Sequence, residues 1–404
     1  MSFRIHLLTF GLLVAFSNSV DSKLSAKEVA ANHEVATAQP FRVATFNVSM
    51  ESGNYGDEAS SLVLQQELAS GDNPQIQAIA AILQKRRPDI VLLNEFDYIA
   101  DTSKGINAFQ DNYLGISQRG DEPIRYDYFY LAESNTGELS PVDINDDGTL
   151  SLPADAYGFG LYPGHYAMVL LSRFPIDSER VRTFRTFLWK DMPGALKPLK
   201  EDGSGYYSAE VWNHFRLSSK SHWDVPVLIG GKALHVLASH PTPPVFDGEE
   251  DRNGRRNNDE IRFWADYVSP DEEISAYIYD DAGEAGGMAS DEPFVILGDL
   301  NASDCNGDSY EGAIQQLLEH PSIVDPRPDS DGATEAWPGD DCARHSTHIA
   351  GWRLDYVLPS SGESLQVLDS GVYWPETSSP DAELFEDRSK SSDHRLVWLD
   401  LELR

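Results

Sequence analysis

The chain has 404 residues, 41% hydrophobic and 10% aromatic, enough for one large core or two ordinary ones, so it need not be disordered. Its formal net charge of −35 argues against a grip on nucleic acid through a broad basic face. Any anionic ligand must therefore be met by local cations, either metals or a few arginines.

In chain order, Arg4 and His6 precede an apolar run from Leu7 to Phe16 and then the small, polar "SNSV". That run is too short to span a bilayer, and residues 1–22 are expected to be a secretory signal cut between Ser17 and Ser22. No later stretch approaches the roughly 18 apolar residues of a membrane helix. The rest, residues 40–404, is expected to form a single compact domain, monomeric and secreted or periplasmic.

Short β-favouring runs follow: "RVATFNV" (42–48), "DIVLLNEF" (89–96), "YAMVLLS" (166–172), "ALHVLASH" (233–240), "FVILGDLN" (294–301), "RLDYVLP" (353–359) and "HRLVWLDLEL" (394–403). Between the first two, Ile76, Ile79, Ala80, Ile82 and Leu83 share one helical face, ended by Pro88. Further helices are expected at 259–268 and 310–320. Strands alternating with helices, with several hairpins, predict an α/β fold of two packed sheets flanked by helices. Cys305 and Cys342, an even pair in an exported chain, favour one disulfide over two free thiols. Closing that loop would stabilise the fold by roughly 4 kcal/mol on the chain-entropy model.

Taken by their ends, these strands deliver Asn47, Glu95, His240, Asp299 with Asn301, Asp355, and Asp393 with His394. Each alone has an ordinary explanation as a cap, a turn or a buried pair. Together they matter more, because ligands of such sheets gather at strand ends. Hard oxygens such as those of Glu95 and Asp393 suit Mg2+, Mn2+ or Ca2+, which neutralise phosphoryl oxygens. A histidine beside a carboxylate can orient water, bind phosphate or move a proton. Zinc would call for more histidine or cysteine at close spacing.

The ordered set "TFNV", "LLNEFD", "LLSRFPI", "GDLNASD", "RLDYVLP" and "SSDHRLVW" resembles the endonuclease/exonuclease/phosphatase superfamily over residues 41–403. The resemblance implies a four-layered α/β sandwich of two mixed sheets, with the site at one end. It implies Glu95 and Asp393 as metal ligands, with Asn47 holding phosphate or positioning the metal. Asp299 would handle the attacking water, Asn301 would steady the phosphate, and His394, buttressed by Asp355, would contact phosphate or act as base. His240 would be the general acid. The pair Cys305 and Cys342 is similar in placement to a disulfide of secreted deoxyribonucleases.

Other features lie outside those motifs. Arg252, Arg255 and Arg256, with Arg262 beyond them, are read either as a substrate clamp or as internal partners of Glu249, Glu250, Asp251 and Asp259. His165 in "PGHYAMVLLS" is a candidate phosphate contact. The segments 187–198 and 216–226 are expected to be rim loops carrying Lys190, Lys220 and His222. "DINDDGTL" (143–150) resembles half of a calcium loop through Asp143, Asn145 and Asp147, although the twelfth position is Ala154 rather than an acid. The expected function is an exported phosphoesterase dependent on Mg2+ or Mn2+. A secreted nuclease acting on extracellular DNA or RNA is the alternative, and a calcium-stabilised, non-catalytic binding protein the third reading.

Overall fold

The computed structural model describes residues 39–288 and 291–404, and the expected signal segment lies outside them. In chain order the strands are β1 (Phe41–Met50), β2 (Ile90–Phe96), β3 (Tyr128–Tyr130), β4 (Met168–Ser172), β5 (Arg182–Thr183) and β6 (His222–Ile229), followed by β7 (Lys232–Ser239), β8 (Phe294–Asp299), β9 (Asp355–Pro359), β10 (Leu365–Val372) and β11 (Val397–Leu403). They form a six-stranded sheet ordered β10-β11-β1-β2-β4-β3 and a five-stranded sheet ordered β5-β6-β7-β8-β9.

Alternation along the strands creates the layers. In β8, Val295 and Leu297 join the apolar cluster between the sheets, which also takes Val43, Ile90, Leu92 and Val236. Phe294 and Ile296 point the other way, into a cluster with Ile261, Phe263 and Trp264 of the helix Arg252–Tyr267. On the other sheet, Ala44, Phe46, Val91 and Leu93 face Ile76, Ile79 and Leu83 of the helix Pro74–Arg86. Strands buried on both faces read as continuous apolar runs, which is why these segments stand out in the sequence. The result is the expected helix, sheet, sheet, helix sandwich.

The helix Pro74–Arg86 starts where the Asn73 side chain accepts from Gln75 and Ile76 N–H, with Pro74 in the first turn, and it stops at Arg87 in a left-handed conformation before Pro88. Two helix expectations need correction. The helix expected at 259–268 begins seven residues earlier, at Arg252, so the arginine cluster occupies its first turns. The helix expected at 310–320 shrinks to the single turn Gln315–Leu318, because Gly312 adopts φ +81° and breaks it from the preceding segment.

Topology explains why polar groups collect at one edge. β1 and β2 run parallel with Asn47 opposite Asn94, and β7 and β8 run parallel with Ala238 opposite Leu297, so each pair ends together. Their antiparallel neighbours begin there: Asp355 lies opposite Asp299, and Val397 opposite Thr45. Asp355 therefore opens its strand rather than ending it, and Asp393 and His394 precede theirs. Antiparallel neighbours present their starts where parallel pairs present their ends.

Candidate active site

The site is built around Asp299. Gly298 allows β8 to approach β7 closely, since a Cβ at this position would lie 2.0 Å from the Ser239 carbonyl oxygen. Asp299 Oδ1 accepts the Asn301 amide N–H at 3.0 Å, and Oδ2 accepts Asn47 Nδ2 at 3.0 Å. The same Oδ2 lies 3.5 Å from His240 Nε2 and 3.7 Å from His394 Nε2. Asn47 is oriented by Ser49, whose N–H donates to its Oδ1 at 3.1 Å. Asn301, at φ +52°, turns its Nδ2 to the Pro241 carbonyl at 3.2 Å. Glu95 is likewise left-handed, at φ +56°. Both residues hold a conformation that side chains other than glycine adopt at a cost, as functional sites often require.

His394 Nδ1 bonds Asp355 Oδ2 at 2.8 Å, and the same oxygen accepts Thr347 Oγ1 at 2.7 Å. That pair fixes the ring and leaves Nε2 facing Asp299. Burial opposes a charge on His394, but Asp355, Asp299 and Asp393 outweigh it and raise the imidazole to about 10. His240 behaves in the opposite way. Burial first, and then the cations Lys220 and His394, push its pKa well down, so it stands neutral.

Glu95 keeps partial access to solvent, yet desolvation by its surroundings raises its pKa, and Asp299 and Asp393 add to the effect against His394 and Asn47. Burial also raises Asp299, helped by the charge of Asp355. Asp393 accepts Ser49 Oγ at 3.3 Å, and its other oxygen lies 3.8 Å from both His348 Nε2 and Arg388 Nε. Burial works against its charge, but His348, His394 and Arg388 hold its carboxyl below the usual range.

His348 is absent from the sequence reading. It arrives through a lone antiparallel bridge to His394, a pairing that no spacing in the sequence announces. Among the described residues, two groups bring donor atoms within 4.8 Å of one another: His348, Asp393 and His394, and Asp299, Asp355 and His394. Glu95 belongs to neither, although it feels the charges of Asp299 and Asp393. The crowded carboxylates and the Asn47 carboxamide form a hard, oxygen-rich donor set that fits a divalent cation of the magnesium type.

Several expected substrate contacts point elsewhere. Arg256 is buried and donates to the carbonyls of Leu217, Tyr157 and Arg216 at 2.8, 2.7 and 3.1 Å, so it ties loops together and is no clamp. Arg252 pairs with Glu250 and donates to the Phe246 carbonyl at 3.1 Å, and Arg255 Nε donates to the Glu250 carbonyl at 3.1 Å. Arg252 thus follows the internal-partner reading, while Arg255 and Arg256 bond backbone carbonyls instead of the expected acids. His165 is also buried, with Nδ1 accepting Leu161 N–H at 3.2 Å and Nε2 bonded to Glu51 at 2.9 Å, so neither nitrogen is open to phosphate.

The loop of Asp143, Asn145 and Asp147 closes on its own backbone: Asp143 accepts Gly148 N–H at 2.7 Å and Asp147 accepts Thr149 N–H at 2.8 Å. Asp155, one place beyond Ala154, is spent on Ile144 and Ser151 N–H groups. Lys220 and His222, expected on a rim, are buried. Lys190 is exposed, as a rim residue would be.

No curated protein matches the chain. Among solved structures, an endonuclease/exonuclease/phosphatase from Beutenbergia cavernae is 17% identical, with 90% of this chain and 72% of that one covered and a TM-score of 0.49. The beta toxin of Staphylococcus aureus with bound magnesium ions is 14% identical, with coverage of 90% and 99% and a TM-score of 0.43. The human nocturnin catalytic domain is 14% identical, with coverage of 90% and 95% and a TM-score of 0.44. The sequence model of one family matches residues 44–394, which takes in every residue placed at this site, from Asn47 to His394. The chain belongs to the endonuclease/exonuclease/phosphatase family.

Proposed function

We propose that the chain is an exported phosphoesterase, dependent on Mg2+ or Mn2+, that hydrolyses phosphate esters by in-line attack of water. Its family acts on phosphate esters in general, and the observation that carries the reading here is the meeting of Asn47, His240 and His394 on the single carboxylate of Asp299. Glu95 and Asp393, with Asn47, would hold the cation, and His348 lies close enough to Asp393 to join them. When bound, the cation would neutralise phosphoryl oxygens and stabilise the leaving oxygen.

The chain's own groups divide the remaining work. Asp299, held by Asn47 and the Asn301 amide, aims a carboxylate oxygen at the attacking water and takes its proton. His394 is charged near neutral pH, and its Nε2–H donates to a phosphoryl oxygen while Asp355 keeps the ring aligned. Neutral His240 contacts the same region without adding charge. The disulfide Cys305–Cys342, with Cα atoms 6.0 Å apart, supports export, because such bonds persist in oxidising compartments.

The net charge of −35 disfavours a polyanion and favours a small or flexible phosphoester. The test is a panel of mono- and bis-(4-nitrophenyl) phosphate and plasmid DNA with Mg2+, Mn2+ or Ca2+. Nitrophenolate release that EDTA abolishes is expected. Plasmid nicking at low salt without ester turnover would move the nuclease reading to first place, and inertness toward all three would remove the enzymatic reading.

A further inference from the structure

Lys220 lies in the floor of the site and plays no part in the scheme above. The residue is 6% exposed. Among the described residues its ammonium makes one hydrogen bond, to the Pro241 carbonyl at 3.4 Å, and no direct ion pair. An ammonium carries three donors, and a buried one left so poorly satisfied is costly unless something else completes it. The acids that act on it electrostatically are Glu260, Glu95 and Asp299. Glu260 is already committed, with one oxygen accepting Ser219 N–H at 2.6 Å and the other Thr242 N–H at 2.7 Å. Glu95 and Asp299 belong to the reaction centre.

The location is specific. Asn301 Nδ2 donates to the same Pro241 carbonyl at 3.2 Å, so Lys220 stands beside the amide expected to steady the phosphate and next to His240 in the chain of contacts. The backbone around Lys220 is pinned from several directions. The Asn135 N–H donates to the Lys220 carbonyl at 2.9 Å, and Asn135 Nδ2 donates to the Ser218 carbonyl at 2.8 Å. Gly158 packs so tightly on Ser219 that a Cβ there would lie 1.9 Å from its carbonyl oxygen. A long, flexible side chain is thereby held at a fixed root, as preorganised catalysis requires.

We propose that Lys220 is a catalytic residue of this site, whose ammonium binds a non-bridging phosphoryl oxygen beside Asn301. It neutralises the charge that grows on that oxygen as water forms its bond to phosphorus and gives its proton to Asp299, while the bond from phosphorus to the ester oxygen breaks and that oxygen leaves with the electron pair, to be protonated from solvent. Lysine keeps its own protons throughout. In a chain with so many acids, it adds a buried ammonium to the charged imidazole of His394 at the centre. The assignment rests on the phosphoesterase reading for its substrate, and its test separates the two.

The experiment compares wild type, Lys220→Met and, as a surface control, Lys190→Met in the full chain with Mn2+ and the better nitrophenyl ester. Lys220→Met is expected to lower kcat/KM about 100-fold and to weaken inhibition by inorganic phosphate at least roughly tenfold, at a near-wild-type melting temperature, while Lys190→Met matches wild type. A kcat/KM within about threefold of wild type, or a loss of turnover with phosphate inhibition unchanged, would overturn it. A second measurement needs neither turnover nor a variant: a crystal of the wild-type chain soaked in tungstate. An oxyanion within hydrogen-bond distance of Lys220 Nζ supports the assignment even if no ester is cleaved, in which case only the phosphoesterase reading falls. An oxyanion seated on Asn301 and His394 with Lys220 turned away, or none at the site, contradicts it.

Discussion

At the scale of single residues, histidines of one fold are driven to opposite states by what surrounds them. His394 faces carboxylates and is raised to about 10, whereas His222 is lowered to about 4, chiefly by burial against Phe263 and Trp264. His222 is locked neutral, with Nε2 donating to the Glu260 carbonyl at 2.9 Å and Nδ1 paired with Ser218 Oγ. Its folded pKa lies below its unfolded one, so the unfolded chain takes up the proton first. Stability is lost as pH falls from about 6.5 toward 4. The stability difference between wild type and His222→Gln in urea should therefore shrink by about 2 kcal/mol between pH 7 and pH 5. A pH-independent difference would show that His222 does not titrate as described.

Residue type and strand position exposed most of the site to sequence reading, since Asn47, Glu95, Asp299 and His394 each follow or border an apolar run. Side-chain direction was not legible. Arg256 and His165 carry the chemistry of phosphate contacts but turn inward onto carbonyls and Glu51, and nothing local in the sequence distinguishes an inward arginine from an outward one. Lys220 errs in the other direction: a segment polar enough to suggest a rim is buried because Glu260 and Asn135 satisfy its backbone.

At the scale of elements, the central strands were read because both of their faces are buried, while β3, β5, β6 and β10 were missed. Two of these are only two or three residues long, and β10 exposes its middle. β6 carries Pro226, which weakens a strand signal, although its neighbours still pair with β7. The parallel contact of β7 with β8 has its own test. Gly298 is the position where these strands touch, and Gly298→Ala would force a methyl into the Ser239 carbonyl. Such overpacking should cost about 3 kcal/mol, read as a lower urea midpoint with an unchanged slope. A midpoint equal to that of wild type would mean that the sheet yields there without cost.

At the scale of the whole molecule, a strongly acidic chain brings Glu95, Asp299, Asp355 and Asp393 together at one edge of its sheets, and offsets them there with His394, Lys220 and a site suited to a divalent cation. Charge balance at that edge links the fold to the chemistry: remove one of the carboxylates that would hold the cation and catalysis should fail while the sandwich persists. The most direct measurement is kcat/KM for nitrophenyl ester hydrolysis in Mg2+ or Mn2+ by wild type and by Glu95→Gln, with circular dichroism as the check on folding. A fall on the order of 1,000-fold in a folded variant is expected. Wild-type rates in Glu95→Gln would contradict it.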